Sequence, residues 1–235
     1  MKRACLIVLI GWLLPAPAFA TPCTTGSLAS YVALGGGGCS IGTAQFFNFV
    51  DLPLQGGAAP IADSSVLVNP LGAANPGFRF DVNSQAAAGD IFERVIGFSL
   101  SGPGFLGSQL TLSGSNRTLD GAVTVLNDDC LGAAFGAGQF CSGNDAQLGG
   151  FDLEFFQQLT DSISFASTSP VGVIVDITVD GGTGGTAGLA SATIQFTPTP
   201  QGTAVPEPAT LTLLSLGWVA VKGRQRLRNR KSPHS

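Results

Sequence analysis

The sequence predicts an all-β protein: an antiparallel β-sandwich of about ten short strands, with one short N-terminal helix and a single C-terminal transmembrane helix. Three observations carry that expectation. Apolar residues recur at every second position through most of the chain, as in Val171–Asp180 (VGVIVDITVD). Turn-forming clusters of Gly, Pro and Asn separate these alternating stretches at short intervals. Ala209–Val221 is an uninterrupted stretch without charge near the C-terminus, the other element that stands out.

The first twenty residues read as a secretory signal peptide. Lys2 and Arg3 precede an apolar run from Ala4 to Leu14, Pro15 and Pro17 end it, and Ala18-Phe19-Ala20 offers signal peptidase a small-x-small cleavage site. Ser27–Leu34 (SLASYVAL) has the spacing of a short helix, with Ser27 as its cap and Gly35–Gly38 as its end. Strands are expected over Ala44–Val50, Ser65–Val68, Phe78–Val82, Arg94–Leu100, Ser108–Ser113, Ala122–Leu126, Phe151–Phe156, Ser162–Ala166, Val171–Asp180 and Leu189–Phe196. In the ninth, Val171, Val173, Val175, Ile177 and Val179 form the buried face, and Gly181–Gly185 is expected to fold it into a hairpin with the tenth.

Residues 21–204 thus form one domain, long enough for a sizeable core. It carries three basic residues (Arg79, Arg94 and Arg117) against fourteen acidic ones, a net charge of −11. Nucleic acid is excluded as an expected partner, because phosphate recognition rests on clustered Lys and Arg. Cys23, Cys39, Cys130 and Cys141 remain after signal removal. An even number in an exported chain points to disulfides, with three arrangements open. The local pairs Cys23–Cys39 and Cys130–Cys141 are the expected ones, each closing a loop of about ten to twenty residues.

Residue types missing from the domain narrow its chemistry. His234 is the only histidine and lies in the tail, and residues 21–204 hold no Lys. Triads built on histidine, imidazole zinc sites, Schiff bases and P-loops are all out of reach, so the domain is not expected to be an enzyme. Asp152 and Glu154 remain as a carboxylate pair, placed by strand periodicity on one face about 7 Å apart, where a solvated surface is the expected role. The fifteen phenylalanines of residues 21–204 are expected to fill the core. No cofactor is expected, with calcium as the one candidate: Asn127-Asp128-Asp129 and Asn144-Asp145 flank the second disulfide loop. Asp128, Asp129 and Asp145 would then be its carboxylate ligands.

The C-terminal segment 205–231 has three parts in order. Val205, Pro206, Glu207 and Pro208 come first, and the two prolines keep a helix from starting upstream, leaving the motif extended. The apolar run follows; as a helix its thirteen residues cover about 20 Å, short of a hydrocarbon core of about 30 Å unless Lys222 snorkels. Lys222, Arg224, Arg226, Arg228, Arg230 and Lys231 then form a basic stop on the cytoplasmic side. This arrangement resembles the PEP-CTERM sorting signal of Gram-negative bacteria. Leu28-Ala29-Ser30-Tyr31, Gly38–Gly42 and Val175-Asp176-Ile177 are also similar to stretches of PEP-CTERM ectodomains.

The resemblance implies processing by an exosortase-type intramembrane enzyme, transient anchoring in the inner membrane, and delivery to the cell surface or extracellular matrix. The expected role is structural or adhesive, with extracellular polysaccharide as a candidate partner; the alternative is a calcium- or glycan-binding extracellular module.

Overall fold

The computed structural model describes residues 21–54, 58–136 and 139–200. The signal peptide, the Val205–Pro208 motif, the apolar run and the basic stop lie outside the described residues. Among the described residues no helix is long and apolar enough to cross a membrane.

The protein is all-β, with two facing antiparallel sheets. The seven-stranded sheet runs β1 (Gly26–Ser27), β5 (Leu67–Pro70), β6 (Gly77–Ala86), β15 (Thr186–Pro198), β8 (Phe105–Ser113) and β13 (Thr160–Thr168), with β9 (Asn116–Thr118) also on β15. The eight-stranded sheet runs β12 (Phe156–Gln158), β11 (Asn144–Leu153), β10 (Ala122–Leu131), β14 (Val171–Asp180), β7 (Ile91–Ser101), β3 (Ala44–Leu52) and β2 (Cys39–Ile41). The two-residue β4 (Ala59–Pro60) adds to β7 in parallel.

The α-helix, α1, is Leu28–Val32, shorter than the expected Ser27–Leu34. Ser27 caps it by accepting the Ser30 amide, and Leu28 and Tyr31 face the core. It stops early because a glycine run follows, in which Gly35–Gly37 forms a 3₁₀ turn.

All ten expected strands have a counterpart, most of them longer than the alternation showed. Two are corrected. Ser65 is in a turn, so β5 starts at Leu67. Phe151–Phe156 is two strands, because the chain reverses at Glu154-Phe155 and pairs Leu153 with Phe156.

A third correction concerns topology. Val171, Val173, Val175, Ile177 and Val179 do form the buried face of β14. Yet Gly181–Gly185 makes no hairpin: β14 already has β10 and β7 on its two edges, so the chain crosses to the other sheet, where β15 pairs β6 and β8. Asp120 pins this crossing by accepting the Thr183 amide at 2.7 Å, the Thr183 hydroxyl at 2.6 Å and the Gly184 amide at 3.1 Å. Gly182 has φ +66° and lies against Asp120, where a Cβ would sit 2.6 Å from its carboxyl carbon.

The Thr183 hydroxyl, and then the two amides, hold the Asp120 carboxyl down to about 2. A carboxylate lowered in the fold contributes stability above its unfolded pKa and loses it as pH falls toward the folded one. Asp120→Ala is therefore expected to speed hydrogen exchange at the Thr183 and Gly184 amides at pH 6, with little change in exchange at pH 2. Equal acceleration at both pH values would rule out the charge as the pin.

The core combines an aromatic cluster with aliphatic packing. Phe46, Phe49, Phe78, Phe80 and Phe98 cluster with Tyr31 between the sheets, while the valines of β10 and β14 pack elsewhere in the core with Leu110, Leu112, Leu148 and Leu189. The expectation that all the phenylalanines are core residues is wrong for Phe140, Phe155 and Phe156, which are exposed. They sit in the disulfide loop and at the β11–β12 reversal, where no second layer covers them.

Both local disulfides are present. Cys23–Cys39 ties the N-terminal segment to β2 with a Cα–Cα distance of 4.9 Å, and Cys130–Cys141 closes the β10–β11 loop at 5.3 Å. Two disulfides indicate an oxidising, extracytoplasmic environment. Replacing Cys130 and Cys141 by serine is expected to cost about 3 kcal/mol, through the freed loop of the unfolded chain. Urea unfolding of the double variant checks this, and a loss below about 0.5 kcal/mol would contradict it.

Candidate functional site

The fold separates the three candidate calcium ligands. Asp129 faces inward from β10 and has 0% exposure. It accepts a hydrogen bond from the Ser108 hydroxyl of β8, and one from the Asn127 amide at 2.9 Å. Burial pushes its carboxyl up to about 7, against the lowering effect of those two bonds. Asp128, one residue earlier, projects from the other face of the sheet, and Asp145 lies near it on β11.

Burial, then the Asp145 charge, raises Asp128. On the same face burial, then Glu93, raises Asp176 of β14. Among the described residues no group of three or more His, Cys, Asp or Glu side chains is placed to hold a metal ion.

Asp152 and Glu154 do not share a face either, which corrects that expectation. Asp152 is buried, accepting from the Ser115 hydroxyl at 2.6 Å and the Gln157 amide at 3.2 Å, and paired with Arg117 at 3.3 Å. Glu154 stands exposed on the turn. The pair therefore has neither the shared strand face nor the jointly solvated surface that the sequence predicts.

Among the described residues, the outer face of each sheet carries a concave surface. On the eight-stranded sheet a groove of about 400 Å³ lies between β3 and the disulfide loop, lined by Val50, Leu52, Phe135 and Ile174 with Gly97 beneath. The loop is held on the sheet where Gly172 donates to Ala133 at 2.8 Å; a Cβ at Gly172 would come within 2.7 Å of the Phe135 amide nitrogen.

On the seven-stranded sheet a trough of about 390 Å³ crosses β13, β8 and β15, and its lining includes Gln109, Ser162, Ser164, Gln195 and Thr197. Its residues were missed in the sequence. The signal was there as polar residues at alternate positions (Gln109 and Thr111; Thr193, Gln195 and Thr197), but not the pairing that brings Gln109 opposite Gln195, 86 positions away.

No protein-family model matches the sequence, and no curated protein matches it either. Among solved structures, the chain is similar to TmCBM61 in complex with β-1,4-galactotriose, with a TM-score of 0.31 and 9% identity, over 63% of this chain and 86% of that one. A likeness at that level bears on neither ligand nor activity.

Proposed function

We propose that this is an exported, non-catalytic protein of the cell surface or extracellular matrix, sorted through the C-terminal signal formed by Val205–Pro208, the apolar run and the basic stop. The observation that carries this reading is a domain closed by two disulfides, between termini whose sequences read as targeting signals. Signal peptidase and an exosortase-type enzyme act on the two ends, the inner membrane holds the chain in transit, and the sandwich serves a structural or adhesive role outside.

The test is the intact mass of protein recovered separately from membranes and from medium. A chain starting at Thr21, ending near Pro206 and found outside the membrane supports the reading. If deletion of Val205–Ser235 leaves both mass and location unchanged, the sorting role is wrong.

A second reading, a glycan-binding module, is favoured by the neutral trough on the seven-stranded sheet. It is compatible with the first, since an adhesive matrix protein needs a matrix ligand. The calcium version has less behind it, because Asp129 faces away from Asp128 and Asp145.

A further inference from the structure

We propose that the trough across β13, β8 and β15 is the ligand site, and that its ligand is a neutral polysaccharide chain. This rests on the reading of the domain as an extracellular module and adds the place and the class of sugar.

The first argument is charge. The domain carries −11, yet none of the residues lining the trough is ionisable. An anionic chain, uronate or sulfated, would find no cation there. Arg79, on the same sheet, is already held by Asp81 at 2.7 Å. A cationic ligand would find no carboxylate, and an apolar one would leave amides and hydroxyls desolvated without partners. What fits is uncharged and rich in hydroxyls.

The second argument is hydrogen-bond capacity. Gln195 Nε2 donates to Gln109 Oε1 across the β15–β8 pair. That bond fixes both amides and leaves Gln195 Oε1 as an acceptor beside Gln109 Nε2 as a donor. Adjacent hydroxyls of a sugar ring, each able to donate and accept, match such a pair. The hydroxyls of Ser162 and Ser164 on one wall and Thr197 on the other are exposed and make no hydrogen bond within the structure, so they add capacity on both sides. Three strands at the usual spacing make the trough about 10 Å across, room for two or three hexose rings.

The third argument is that the neighbouring sheet edge is guarded against a protein strand. Leu112 donates to Leu159 in the β8–β13 register, so the odd-numbered residues of β13 face β8, and the amides of Ser162 and Ser164 point to the open edge. Asp161 Oδ1 occupies the Ser162 amide at 2.9 Å, while its Oδ2 accepts from Gly149 at 3.0 Å. A carboxylate seated on the edge opposes strand addition.

The test is affinity electrophoresis of the mature exported protein through gels containing a neutral glucan, galactan or mannan, with polygalacturonate alongside. The expected result is retardation by at least one neutral polymer and none by polygalacturonate. Gln195→Leu and, separately, Ser162→Ala with Ser164→Ala should each weaken it about tenfold without lowering the melting temperature. Asp145→Asn, on the opposite sheet, should bind normally.

Failure of all three neutral polymers to retard the wild type would overturn the proposal, as would binding undiminished in both trough variants or equal retardation by polygalacturonate. Self-association in sedimentation that Ser164→Pro removes, without glycan binding, would assign the surface to a second copy instead. A protein that is cut and released yet binds none of the neutral polymers defeats this inference alone. One that binds them but stays uncut in the membrane defeats the sorting reading alone.

Discussion

Phe78→Ala is expected to lower the stability of the domain by about 4 kcal/mol. Phe78 has 0% exposure and stands at the centre of the aromatic cluster. Its ring centroid lies 4.8 Å from Phe46, 5.4 Å from Tyr31, 5.5 Å from Phe49 and 5.9 Å from Phe98, each close to edge-on. Edge-to-face pairs contribute beyond the area they bury, and truncation removes four of them while leaving a ring-sized void between two sheets that cannot close it. The strand also matters: β6 pairs both β5 and β15, so local collapse would disturb two ladders. Urea unfolding should show a lower midpoint at an unchanged m-value. A loss under about 1 kcal/mol would mean that the rings repack freely.

The second large effect is a pH dependence centred on Asp129. Its folded carboxyl is raised to about 7 by burial, so between the ordinary carboxylate range and pH 7 the native state holds a proton that the unfolded state has released. More protons bound in the native state means stability falls as pH rises. The contribution is complete below about pH 4 and lost above about pH 7, a change of up to about 4 kcal/mol at 1.36 kcal/mol per unit.

Asp128 and Asp176 are raised too, and so bend the wild-type curve in the same direction. The difference between wild type and Asp129→Asn isolates the buried group. The asparagine should match wild type near pH 4.5 and exceed it by roughly 2–4 kcal/mol at pH 8. Parallel curves over that range would show that Asp129 ionises at its ordinary pKa, through hydration that the closed structure does not provide.

How much of this could be read in advance follows from the range over which each interaction acts. Alternation is local, so β14 was legible to its end residues, and the five missed strands are those of two or three residues, too short to alternate. The two disulfides were legible because each closes a short loop. Sheet membership was not, because Gly181–Gly185 reads the same whether the chain returns alongside itself or crosses to the other layer. What decides is that β10 and β7 already occupy both edges of β14, and both come from earlier in the chain.

The same limit hid the site. Asp128 and Asp129 are adjacent letters on opposite faces, one half-buried beside other acids and one sealed against Ser108. Gln109 and Gln195 became a pair only through the β8–β15 register.

The position of β15 also bears on the timing of folding. The last strand among the described residues is an inner one of its sheet, flanked by β6, about a hundred residues earlier in the chain, and by β8. Until Thr186–Pro198 is available to pair, the seven-stranded layer lacks the strand that joins β6 to β8 and carries β9. The domain therefore cannot finish folding until nearly all of its sequence, through Pro198, has been made.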